Sequence, residues 1–95
     1  MLVEIKRLLI ENDGYKRNVS LQRMYINTSS VVSISDYYGV KSFLLQEKSS
    51  LSDDSFSLIK INEGGHSQDI IAQGTSEQLF TKLNKNLQGK RILND

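Results

Sequence analysis

The sequence predicts an α+β domain: a curled antiparallel β-sheet of five or six strands with one C-terminal α-helix packed on it. Three observations carry that expectation. Apolar residues alternate with period two over most of the chain. Turn-forming clusters at Asp13-Gly14, Asn27-Thr28-Ser29-Ser30 and Glu63-Gly64-Gly65-His66 punctuate the alternation. From Thr75 onward the period lengthens to that of a helix.

The first segment, Leu2 to Ile10, fits two periods. Val3, Ile5 and Leu9 share a face at period two, with Arg7 as the exception, and Leu2, Ile5 and Leu9 form a stripe at period 3.6. The Glu11-Asn12-Asp13-Gly14 run that follows favours a strand, because Asp-Gly supplies the positive φ that tight hairpins need. A second strand over 17–26 places Val19 and Leu21 on one face and Met24 and Ile26 on the other, which suggests a bulge near Gln22-Arg23. The Asn27–Ser30 turn leads into a short β-branched strand, Val31 to Ser35, with Val32 and Ile34 on one face. Asp36-Tyr37-Tyr38-Gly39 reads as another turn. Val40 to Glu47 reads as a strand in which Phe43 and Leu45 alternate against Leu44.

Lys48 to Ser55 is the most polar stretch and reads as a flexible loop within one domain. Phe56 to Asn62 alternates Phe56 and Leu58 against Ile59 and Ile61, and Asp69 to Ala72 is a short final strand. The helix opens on Thr75-x-x-Gln78, a spacing that lets hydroxyl and amide satisfy two otherwise unpaired N–H groups reciprocally. Leu79, Phe80, Leu83 and Leu87 form its apolar stripe, Lys85 lies in its last turn, and Gly89 is placed to end it. The last few residues are read as disordered.

Ninety-five residues with no Pro and no Cys point to a single domain spanning residues 1–95. Without cysteine there is neither a disulfide framework nor a thiolate metal site. No apolar run approaches the roughly 20 residues that span a bilayer. No secretory signal is evident either, so the expected setting is cytoplasmic, with no membrane partner. The net charge of +1 hides an uneven distribution. Lys6, Arg7, Lys16, Arg17 and Arg23 make the first 24 residues basic, and Lys82, Lys85, Lys90 and Arg91 make the last 14 basic. The middle of the chain is acidic. If the ends meet, they form one positive face.

Catalytic constellations are sparse. The single histidine, His66, sits in a Gly-Gly turn, and no serine lies in a G-x-S-x-G elbow, so a nucleophilic triad has little to rest on. Glu63 and Asp69 are the carboxylates nearest His66, and Asp53 and Asp54 lie in the polar loop, but neither set has metal-ligand spacing. Gly74-Thr75-Ser76 opens the helix without the lysine of a phosphate loop, and a simple N-cap accounts for it. The expectation is a protein that is not an enzyme and uses no cofactor or metal.

Two segments carry a resemblance. Tyr25-Ile26-Asn27 followed by Val31-Val32-Ser33-Ile34, and Thr75-Ser76-Glu77-Gln78-Leu79 with Phe80 and Leu83, resemble parts of the FlbD-like family of small flagellar and swarming-motility proteins. In that family an Asn-containing turn leads into a short aliphatic strand, and an amphipathic helix closes the chain. The resemblance implies the fold. No functional residue transfers with it, because neither segment is a catalytic motif. This chain is longer, with an additional N-terminal hairpin and the polar insertion at 48–55.

Two functional classes follow. The first is a small interaction module that binds another protein or itself, with Tyr37 and Tyr38 as its interface, since tyrosines at a turn offer large contact area at low entropic cost. The second is an RNA- or DNA-binding accessory protein using Lys16, Arg17, Arg23, Lys82, Lys85, Lys90 and Arg91, with attraction to phosphates that weakens with salt. The Lys-, Asn-, Ser- and Ile-rich composition fits an accessory protein encoded by a phage or an AT-rich bacterium.

Overall fold

The computed structural model describes residues 1–84. Lys85, Leu87, Gly89, Lys90, Arg91 and the last few residues, on which several expectations fall, lie outside the described residues. The elements are β1 (Leu2–Asp13), β2 (Lys16–Asn27), β3 (Val31–Tyr37), α1 (Lys41–Gln46), β4 (Phe56–Glu63) and β5 (His66–Gln73), followed by a helix, α2, over 76–84. The five strands form one antiparallel sheet in the order β2-β1-β5-β4-β3.

Two glycine turns build it. Gly14 (φ +71°) follows Asp13, and the Tyr15 N–H donates to the Asp13 carbonyl at 2.7 Å, so β1 and β2 pair in one unbroken register from Leu2↔Asn27 to Asp13↔Lys16. Gly64 and Gly65 both have positive φ, the requirement of a type I′ hairpin, and join β4 to β5 through Glu63↔His66. Between the hairpins, Asn27 Oδ1 accepts from the Ser29 N–H at 3.1 Å and from Ser29 Oγ at 2.9 Å, the side-chain turn chemistry expected there.

The N-terminal segment is therefore a strand, and α2 opens as expected. The Gln78 N–H donates to Thr75 Oγ1 at 3.1 Å, and the Thr75 N–H donates to Gln78 Oε1 at 2.9 Å. Asp36 adds a contact from the sheet, accepting from the Ser76 N–H at 2.8 Å, where negative charge is favoured.

Four expectations are corrected. Residues 40–47 form a helix, not a strand: Leu44 is fully buried, Leu45 is largely exposed, and no side chain caps the N-terminus at Val40. Its C-terminus carries a Schellman closure, with Ser49 N–H to Leu44 O at 3.0 Å and Lys48 N–H to Leu45 O at 3.1 Å. Lys48 takes the left-handed conformation (φ +53°) that glycine usually supplies. Secondly, β3 runs through Tyr37, so the turn falls after it. Thirdly, the register shift in this sheet lies between Val31 and Ser33, not at Gln22-Arg23, and it moves Val32 out to solvent. Lastly, the helical layer is not single.

The missing bulge has a physical explanation. Strand residues alternate faces, and both faces of this sheet are covered. One core gathers Val3, Ile5, Ile26, Ile59, Ile61, Ile70 and Ala72 under Leu79 and Leu83 of α2. The other gathers Leu8 and Phe56, with Val19, Leu21 and Ile71, against Val40 and Leu44 at α1. Along β1 the buried parity changes between Ile5 and Leu8, and along β2 it changes between their register partners, Met24 and Leu21. The hairpin serves one core with its base and the other with its far half.

β1 meets β5 at a single register pair, Arg7↔Ala72, so the hairpin crosses the β3–β4–β5 meander and projects past it. The extents, 55 × 29 × 19 Å, and a radius of gyration of 15.1 Å reflect this projection. A compact chain of this length would have a radius of about 12 Å. The polar loop is anchored by a 3₁₀ turn, Ser50–Asp53, whose Leu51 packs into the α1-side core.

Candidate functional site

The fold leaves two edge strands, β2 and β3, and they differ in kind. β2 carries Lys16, Arg17 and Arg23, and charged edges of this type resist unplanned strand addition. β3 carries Asp36 alone, and that carboxylate is committed to the start of α2.

Beside β3 lies a groove of about 560 Å³ between the strand and α2. Val31, Val32 and Ile34 line it from the strand, and Phe80 and Leu83 line it from the helix. Val32 and Phe80 are 66% and 59% exposed, so the groove presents large apolar side chains to solvent. Glu77 is the one charged residue lining it among the described residues. Of the described residues in the expected apolar stripe, Leu79 and Leu83 are buried, whereas Phe80 flanks them and faces the groove.

Tyr37 and Tyr38 separate. Tyr37 ends β3 opposite Phe56 and packs on the α1-side core, while Tyr38 is 76% exposed. Gly39 lies against the Tyr37 ring, where an added Cβ would sit 2.5 Å from its hydroxyl. Tyr38 thus marks the C-terminal end of the β3 edge.

The cations divide into two groups. Lys16 and Arg17 stand at the tip of the projecting hairpin, where Arg17 lies 5.5 Å from the centre of the Phe43 ring, a cation–π contact that ties the tip to α1. Arg23 sits six residues farther along β2, about 20 Å away at strand rise. There it shares a depression of about 430 Å³ with Lys6 of β1, Lys82 of α2, Glu4 and Gln73. Arg23 Nε pairs with Glu4 Oε1 at 2.8 Å. Lys6 and Arg23 share the parity of Leu8 and Leu21 and so project from the α1 face, whereas Lys82 stands on α2 over the opposite face. The two basic ends of the sequence therefore do not form one positive face here. The face that Lys6 takes depends on strand register, which the local sequence does not encode.

His66 is exposed at the β4–β5 turn opposite Glu63. Among the described residues no three His, Asp or Glu side chains converge as a metal site would need. No described helix is long and apolar enough to cross a membrane. In comparisons with known proteins, the chain matches no family model, no curated protein and no solved structure at a significant level.

Proposed function

We propose that this protein is a non-enzymatic interaction module that accepts an extended segment of another protein as an added strand along β3. The observation that carries this reading is the pairing of an edge strand that bears no cation, and whose one carboxylate, Asp36, already accepts from Ser76, with an apolar groove beside it. In strand addition, main-chain hydrogen bonds supply affinity and pockets for alternate side chains supply selectivity. Val32, Ile34 and Phe80 form such a pocket, and exposed Tyr38 extends the contact at the strand's end.

Charge selects the occupant. Among the described residues Glu77 is the one charged group lining the groove, so the favoured segment is apolar at alternate positions and flanked by Lys or Arg. A second copy paired β3 to β3 about a two-fold axis would place both α2 helices on one face. That arrangement would bring the two Glu77 carboxylates towards one merged groove, which favours a foreign segment over self-association.

The test titrates the protein with a short synthetic peptide alternating valine and threonine between terminal lysines, followed by amide NMR. Expected are saturable shifts confined to Val32–Asp36 and Phe80, weakened by Val32→Asp or Phe80→Asp and by glutamates in place of the peptide's lysines. Shifts elsewhere, or binding indifferent to both substitutions, would overturn the reading. Sedimentation velocity checks the occupant: a dimer dissolved by Phe80→Asp would replace the foreign segment with a second copy.

A further inference from the structure

We infer that the chain's own continuation regulates the β3 groove: residues 90–95 fold back along α2 into it and must leave before a foreign strand enters. The inference rests on the strand-addition reading and adds a competitor to it.

The first support is where the described chain stops. Asn84, the last described residue, itself lines the groove, as do Leu83 beside it and Phe80 one turn earlier. Eleven residues follow Asn84. Fully extended, they span at most about 40 Å. Ser76, at the other end of the groove, lies about 12 Å from Asn84 along the helix axis. The tail is therefore long enough to reverse and still run the length of the groove.

The second support is the spacing of apolar residues on the two sides of Gly89. Glycine just past a helix lets the chain turn out of it, and Gly89 is placed to end α2. Counted back from that turn at helical rise, Leu83 lies at about 9 Å and Phe80 at about 14 Å. Counted forward at strand rise, Ile92 lies at about 10 Å and Leu93 at about 13 Å. Ile92 thus comes level with Leu83, and Leu93 with Phe80. The tail's aliphatic pair meets the groove where Val32 and Phe80 are otherwise largely exposed.

The charges are mixed. Lys85, Lys90 and Arg91 oppose Glu77 in sign, while Asp95 comes level with it. The tail is held mainly by Ile92 and Leu93, and it yields to a segment with lysine at both ends. Tethering gives it an effective concentration at the groove on the order of mM. Occupancy by the tail lowers the fraction of open grooves and weakens a foreign segment's apparent affinity by the same factor.

The experiment uses the full chain. The protein has no cysteine, so Asn94→Cys provides a single attachment point for a nitroxide label. Expected is broadening of the Val32, Ile34 and Phe80 amide signals, removed by Ile92→Asp/Leu93→Asp. The same double substitution should tighten binding of the valine–threonine peptide about three- to tenfold. In the parent, the displaced residues 90–95 should respond to the peptide with the midpoint of the groove amides, which separates release of the tail from binding elsewhere. Nitroxide-labelled protein mixed with isotope-labelled protein lacking the nitroxide should leave the groove signals sharp. Broadening in that mixture would assign the tail of a second copy and overturn the fold-back. No broadening at the groove, or a peptide affinity unchanged by Ile92→Asp/Leu93→Asp, would also overturn it, while saturable peptide binding would leave the strand-addition reading standing. Broadening at the groove without peptide binding, even in the tail variant, would uphold the fold-back and overturn strand addition.

Discussion

Leu44→Ala is the most informative single perturbation of this fold, because the helix packs Leu44 and Phe43 into one core, which a strand over 40–47 could not do on one face. In a strand, Phe43 and Leu45 would share one face and Leu44 the other. In α1, Leu44 is 0% exposed and Leu45 is 56% exposed. Alanine is the best helix former, so the substitution reports lost burial and not lost helix propensity. Removing a buried leucine side chain from a packed site costs about 3 kcal/mol once the residual cavity is included. Stability for a chain of this length is about 5 to 14 kcal/mol. The variant should therefore fold, with its midpoint lowered by about 12 to 24 °C. Leu45→Ala should stay within about 0.5 kcal/mol of the parent. Equilibrium urea denaturation gives both numbers. A double cycle extends the test: Leu44→Ala and Leu79→Ala act on cores on opposite faces and should add to within about 0.5 kcal/mol, whereas Leu44→Ala and Val40→Ala share a core and should not. If Leu45→Ala costs more than Leu44→Ala, the helix is refuted. If neither costs about 1 kcal/mol, α1 is not docked.

Three further outcomes follow from local geometry. Lys48→Gly should stabilise the protein by about 0.5 to 1 kcal/mol by relieving a left-handed conformation in a non-glycine residue, less the added freedom of the unfolded chain, as read from the thermal midpoint. Gly39→Ala should destabilise by about 1 to 3 kcal/mol and perturb the near-ultraviolet tyrosine signal, because its Cβ collides with Tyr37; the loss should shrink in a Tyr37→Leu background. Thr75→Ala and Gln78→Ala should each cost about 1 kcal/mol, and the double variant less than the sum, since each side chain satisfies the other's backbone.

Much of the sheet was legible because glycine and asparagine turns set its hairpins and β-branched residues filled its strands. The opening of α2 was legible because Thr75 and Gln78 form a reciprocal cap at fixed spacing. α1 was hidden for the opposite reason. It has six residues, valine at its N-cap and lysine where glycine would normally close it, and Phe43-Leu44-Leu45 fits either period. The change of face along β2 looked like a bulge because alternation assumes that one face meets the core. It could be understood only once a second core was found on the reverse side. Of the candidate sites, the basic character of both termini was visible in the sequence. That Lys6 and Arg23 are register partners on one face while Lys82 stands over the other depends on pairing and docking between distant segments. Phe80 differs from its neighbours Leu79 and Leu83 only by where α2 rests on the sheet.

The hairpin whose two halves serve different cores has a consequence for how the chain avoids misassembly. Sliding β2 past β1 by one position would turn Met24 and Ile26 away from one helix and, in the same step, Val19 and Leu21 away from the other. A sheet with one wet side can hide such an error in a single layer, but here each mistake is penalised twice. The long arm is thereby keyed like a double-bitted blade, which enters in one alignment or not at all.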